Sequence, residues 1–193
     1  MNTTERIVEA YFRHCLGCFT MTDVKVPGGN NRQLDLLAQN LRNGNHYHVE
    51  TSVTHERSWQ ITWEKLRVKL EGKFFGMPPK REGPLTDFAK GKNYYDHICR
   101  AYAAVGLSEK ALHRVWVTWS KPDGPEFETS LEFYCKGKKL GEYPIQVWSL
   151  RDKILPELMT EVGTSNYDDD VLRTLSLLRQ YEYQTANERF RLR

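Results

Sequence analysis

The chain has no apolar run approaching the roughly 20 residues that a helix needs to span a bilayer, so no helical membrane segment is expected. Its first ten residues are polar and acidic rather than a charged and apolar leader, which argues against a secretory signal. Cysteine is scarce, with four in 193 residues. Cys15 and Cys18 form a Cys-x-x-Cys pair, but Cys99 and Cys135 stand alone. Half a zinc site needs a second half, and no second Cys-x-x-Cys or spaced histidine pair supplies one. Packing thiols, reduced in a cytoplasmic setting, are the simpler reading. An excess of one charge is also lacking: 28 Lys and Arg face 25 Asp and Glu, a net +3. That balance permits nucleic-acid binding without demanding it. Internal repeats and low-complexity tracts are absent, and the length fits a single domain, 1–193, with a sizeable core.

What the chain does have is alternating apolar patterning of two periods. Residues 4–16 read as a helix, with Asn2 or Thr3 as cap, Glu5 in the first turn and Gly17 as stop. A first strand is expected over 18–26, ended by Pro27-Gly28-Gly29. Hairpin strands follow at 32–40 and 46–54, then a helix over 58–72 capped by Ser58, with Trp59, Trp63, Leu66 and Leu70 at helical spacing. The Gly, Pro and basic residues of 72–86 read as an exposed connection. A helix is expected at 93–105, a buried strand at 111–119, a short helix near 127–138 and a last strand at 145–148. Residues 150–162 are partly helical, with Pro156 forcing a break or restart. Asp168-Asp169-Asp170 then cap a final helix through about 185; three acids at that place are cap and dipole partners rather than a metal site.

The hairpin carries the chemistry. Asn43-Gly44 between alternating segments is the strongest short-range hairpin signal. With those two residues as the loop, Asp35 falls opposite Ser52 and Leu37 opposite Glu50. Asp35, His48, Glu50 and Ser52 then share one face, with Asp35 diagonal to Glu50 at roughly 7 Å or less. A four-residue loop keeps that parity, whereas a one-residue slip destroys it. Two carboxylates so placed can share a hard divalent cation. The dull alternative is a pair of solvated acids on the open face of an antiparallel hairpin.

An Asp on one strand, a hairpin, then Glu-x-Lys on the next is the signature of the PD-(D/E)XK nucleases, which include restriction endonucleases and archaeal Holliday-junction resolvases. Asp35-hairpin-Glu50-Thr51-Ser52 resembles it over about residues 4–56, with Ser52 standing where the family has lysine. The resemblance implies an α/β fold, a restriction-endonuclease-like mixed β-sheet flanked by helices. It also implies Mg²⁺ (or Mn²⁺), DNA as substrate and, as for many such nucleases, a homodimer. Asp35 and Glu50 become metal ligands, and Glu9 on the first helix matches an acid that joins them in resolvase-type members. The Gly28-Gly29-Asn30-Asn31 loop before the Asp strand also fits. Ser52 would orient water without supplying charge, and Gln33 adds a contact on the Asp35 face. Lys25, Lys65 and His48 are the candidates to replace the missing base.

Nucleic-acid contacts are expected from Arg67, Lys69, Lys73, Lys80 and Arg81, with Phe74 and Phe75 stacking on unpaired bases. A solvated helix face explains the same run. Lys136-Gly137-Lys138-Lys139 is a smaller basic cluster or only a turn. His46 and His48 at alternate positions suit either a transition metal or plain strand polarity. Glu9 and Arg13 fit a surface ion pair at i,i+4. Three functions remain: a Mg²⁺-dependent endodeoxyribonuclease; a degenerate nuclease scaffold that binds DNA or a protein; and an interaction protein using exposed aromatics such as Trp116 and Trp148. The first two are separated by whether any Lys or Arg amine reaches the Asp35–Glu50 face.

Overall fold

The computed structural model describes residues 2–29, 31–53, 61–78 and 93–191. The expected Ser58 cap, Trp59, Asn30, Lys80 and Arg81 lie outside them. Helix α1 (Thr3–His14) opens with a reciprocal cap: Asn2 Oδ1 accepts from the Glu5 N–H, and the Glu5 carboxylate accepts from the Asn2 N–H. Gly17, at φ +65°, turns the chain into β1 (Cys18–Lys25). Then follow β2 (Gln33–Asn40), β3 (His46–Thr51), α2 (Trp63–Phe74) and α3 (Tyr95–Ala104). The chain continues through β4 (Leu112–Thr118), α4 (Pro125–Gly137), β5 (Gln146–Ser149), α5 (Leu155–Glu161) and α6 (Asp170–Arg191). The protein is therefore α/β.

The five strands form one mixed sheet in the order β1-β2-β3-β4-β5. The first three are antiparallel, and β4 and β5 run parallel to β3. Parallel strands need a crossover of a dozen residues or more, which helices supply here. Central β3 and β4 are buried on both faces, as parallel strands under helices must be. Leu36, Ala38, Val49, Val115 and Val117 project to the layer of α1, α5 and α6. The alternate residues, including Leu37, Leu112 and Trp116, project to the layer of α2, α3 and α4.

Several expectations change in detail. The hairpin loop is four residues, closed by Asn40 N–H donating to the Asn45 carbonyl, and Leu36 pairs with Val49. One step along that register puts Asp35 directly across from Glu50 rather than diagonal to it, with parity kept. Helix α2 runs to Phe74, past the expected stop at 72, because Phe74 and Phe75 are core residues rather than exposed stacking platforms. Trp116 is likewise buried, and Trp148 stacks on Phe12. Pro156 restarts the helix as expected: a π-turn over Leu150–Ile154 feeds α5, whose first turn tolerates a proline without an N–H. Asp169 Oδ1 caps α6 by accepting from the Val171 and Leu172 N–H groups. All four cysteines are free thiols. Among the described residues no helix is long and apolar enough to cross a membrane.

Candidate functional site

Asp35 and Glu50 meet on the α2–α3 side of the sheet, and the group between them is Lys73. Its Nζ lies 3.1 Å from Asp35 Oδ1 and 2.5 Å from Glu50 Oε2. Lys73 comes from the last turn of α2, not from the strand. It stands three residues after Leu70 and seven after Leu66, the same face of the helix, so its stem follows the buried stripe toward the sheet. Lys69, one turn earlier, donates to Ser52 Oγ at 3.1 Å. The position where the resembled family carries lysine is thus reached by an amine from the neighbouring helix.

The carboxylates are held from behind. Glu50 is fully buried, and its Oε1 lies 2.8 Å from His48 Nε2. His48 Nδ1 lies 2.7 Å from the Tyr102 hydroxyl on α3. The tautomer that satisfies both contacts has Tyr102 donating to Nδ1 and Nε2–H donating to Glu50. Phe74 packs edge-on against the imidazole, with ring centroids 4.8 Å apart. Asp35 Oδ2 accepts from the Thr51 backbone N–H at 2.9 Å. These contacts leave Asp35 Oδ1 and Glu50 Oε2 converging on the place the ammonium occupies.

Burial sets the protonation states. It pushes the Asp35 carboxyl, with the adjacent Glu50 charge adding to it, up to about 7 from an ordinary 3.8, against Lys73 and the Thr51 N–H. Glu50 suffers the same desolvation, but the His48 hydrogen bond and the Lys73 ammonium outweigh it and hold its carboxyl below the usual value. Burial drives His48 below its ordinary range despite Glu50, so it is a neutral hydrogen-bond bridge. Burial alone would lower Lys73; the two carboxylates reverse that and raise it. Lys69 is lowered by burial and by Lys73.

The other sequence candidates fall elsewhere. Glu9 accepts from Thr20 Oγ1, and Thr20 pairs with Ala38, which belongs to the α1 layer. Glu9 therefore lies on the opposite face of the sheet from Asp35, which corrects its expected role as a third acid. Lys25 is exposed at the end of β1 across from Gln33, itself exposed, and neither is brought to the carboxylates. Lys65 is exposed two turns before Lys73 and does not substitute for the missing base. His48 is beside Glu50 as expected but is neutral, so it does not provide the charge. Arg67 is half-buried on α2 and borders a shallow cleft with Trp63 and Tyr134. Lys73 belongs to the site, and Lys69, exposed on the same helix, touches its edge at Ser52.

Among the described residues no three His, Cys, Asp or Glu side chains converge as a metal set. A pair of carboxylates suffices for Mg²⁺, which keeps several waters and often takes only one or two protein acids. The ammonium bears on the fit: a cationic position contacted by two hard oxygen donors suits Mg²⁺ or Mn²⁺ in ligand type and in sign of charge. No family model, curated protein or solved structure matches the chain.

Proposed function

We propose that the chain is a metal-dependent DNA endonuclease of the PD-(D/E)XK type, with a restriction-endonuclease-like sheet and its motif lysine replaced from α2. The observation that carries the reading is Lys73 Nζ between Asp35 and Glu50. Asp35 and Glu50 would hold Mg²⁺ or Mn²⁺, which when bound polarises a phosphodiester and acidifies water. Displaced from between the acids by the ion, the Lys73 ammonium would supply positive charge beside them for the transition state, and Ser52 with Lys69 holds a second polar position next to it. His48 and Tyr102 keep Glu50 oriented and ionised. Thr51 N–H fixes Asp35. A homodimer and a cytoplasmic location belong to the same proposal.

The amine also favours a second reading. A lysine seated between two carboxylates neutralises them as a fixed counter-ion, as a degenerate scaffold that binds DNA or a protein would use it. Incubating supercoiled, linear, single-stranded and branched DNA with Mg²⁺ or Mn²⁺ separates the two. Cleavage is expected from wild type, and a loss of about 100-fold or more from Lys73→Met, in line with deletion of one transition-state partner. Asp35→Ala should be inactive. DNA bound but uncut under every condition would leave the scaffold reading.

A further inference from the structure

The α2–α3–α4 layer also contains a cleft of about 690 Å³ that the hydrolase reading does not use. Among the described residues, four cations line it (Lys110, Arg114, Lys138 and Lys139) against the carboxylates of Glu109 and Glu142. Arg114 is the informative one. It projects from the central strand β4, is only 2% exposed, and its Nε and Nη2 have no hydrogen-bond partner among the described residues. Among the described residues, the guanidinium makes a long 3.5 Å contact from Nη1 to the Leu112 carbonyl. A buried guanidinium with unused N–H groups is costly, and planar forks of this kind suit phosphate and carboxylate oxygens.

The other cations differ in their commitments. Lys138 is bound to Glu71 at 2.6 Å. Lys139 is exposed at φ +56° in the turn after α4. Of the acids, Glu109 is engaged by Tyr95 Oη and Cys99 Sγ. Those neutral donors leave Glu109 charged, so with Lys138 paired to Glu71 the described wall sets Lys110, Arg114 and Lys139 against Glu109 and Glu142, one positive charge in excess. Phe75, Tyr95 and Tyr143 supply ring surface, with Lys138 and Arg114 lying 4.5 and 5.6 Å from the Phe75 centroid. The volume is within the usual range of about 300–1,000 Å³ for small-molecule sites.

We infer that this cleft binds a nucleotide-type phosphomonoester, its phosphate met by Arg114 and Lys139 and its ring by the tyrosines. The same chemistry comes from a free mononucleotide or from the phosphorylated end of a nucleic-acid strand. The inference stands without the hydrolase reading, and Asp35→Asn should leave this binding unchanged.

Isothermal titration of the full chain with adenosine 5′-monophosphate, inorganic phosphate and adenosine tests it. The monophosphate is expected to bind about tenfold or more tightly than adenosine, and Arg114→Met to weaken it about tenfold or more, the scale of a lost charge-assisted fork. Lys139→Gly, which suits the positive φ, should weaken it about threefold and reduce its salt dependence. Arg114→Met removes a buried guanidinium with unsatisfied N–H groups and keeps an unbranched apolar stem, so the variant should fold; if it does not, Lys139→Gly carries the test. Tighter binding of a 5′-phosphorylated oligonucleotide than of its hydroxyl counterpart assigns a strand end, and binding of the mononucleotide alone assigns a free ligand. No binding of monophosphate or phosphate to wild type, equal affinity for adenosine, or wild-type affinity in every folded variant would overturn the inference.

Discussion

Replacing Lys73 with methionine keeps the length of the stem and removes only the ammonium. Among the described residues, Glu50, with no exposure, then keeps the neutral His48 as its partner, and Asp35 faces it across the strands without a counter-ion. Breaking a buried ion pair costs about 3–5 kcal/mol. The Lys73 side chain is 39% exposed, which places the cost at about 3 kcal/mol after solvent screening. For a domain of this size that is a fall of about 6–12 °C in Tm. The loss should depend on pH. Asp35 has a folded value near 7 against an ordinary 3.8, so its proton-linked contribution is complete below the lower figure. That contribution disappears as pH rises through the upper figure. Without Lys73 the carboxyl rises further, so the gap to wild type should narrow below pH 7, where only the Glu50 pair is lost, and widen above it. Urea unfolding across that window measures the difference, with Asp35→Asn/Lys73→Met expected to recover stability because the amide leaves no second buried charge. A Lys73→Met protein within about 0.5 kcal/mol of wild type well above pH 7, the range of an ordinary surface substitution, would refute the seating of the amine.

Three further outcomes follow from the same geometry. His48→Ala removes both the Glu50 and Tyr102 contacts and opens space beside Phe74, so denaturant unfolding should show a loss of about 2–4 kcal/mol. Gly76 sits at φ +67°, and a Cβ there would approach the Tyr95 nitrogen to 2.5 Å. Gly76→Ala is therefore expected to cost about 1–3 kcal/mol in backbone strain plus a shift of the α3 start, read as a lower Tm. Glu9→Ala should leave metal binding and DNA cleavage at wild-type levels while costing about 1 kcal/mol for the Thr20 hydrogen bond; a tenfold loss of metal affinity would place Glu9 at the site after all.

The hairpin was legible because strand parity survives a change of loop length from two residues to four, so Asp35 and Glu50 reach one face on either register. The strands and α1 were legible for a similar reason: their periodicity and their cap lie close in sequence. In sequence, Lys73 groups with Arg67 and Lys69 as nucleic-acid contacts or a solvated helix face, with the helix expected to end at 72, whereas α2 continues to Phe74 and turns Lys73 toward the sheet. The buried stripe of Leu66 and Leu70 continues through 73 at helical spacing, and that signal was available. Glu9 matches the family's additional acid by its place on the first helix, but its hydrogen bond to Thr20 on β1 sets it on the α1 side of the sheet. The buried state of Arg114 and the bridge from Tyr102 to His48 depend on pairing of β3 with β4 and on packing of α3. Those contacts join residues 54 or more positions apart, beyond any local pattern.

The central claim is that Asp35 and Glu50 form a cation cradle in which Lys73 now sits. Electron paramagnetic resonance of Mn²⁺ titrated into the full chain tests it most directly, since free and bound ions are distinguished without requiring turnover. Wild type is expected to bind one Mn²⁺, Asp35→Asn to lose it, and Lys73→Met to bind at least as tightly while failing to cut DNA. Equal binding by wild type and Asp35→Asn, or none by wild type and Lys73→Met alike, would contradict the account.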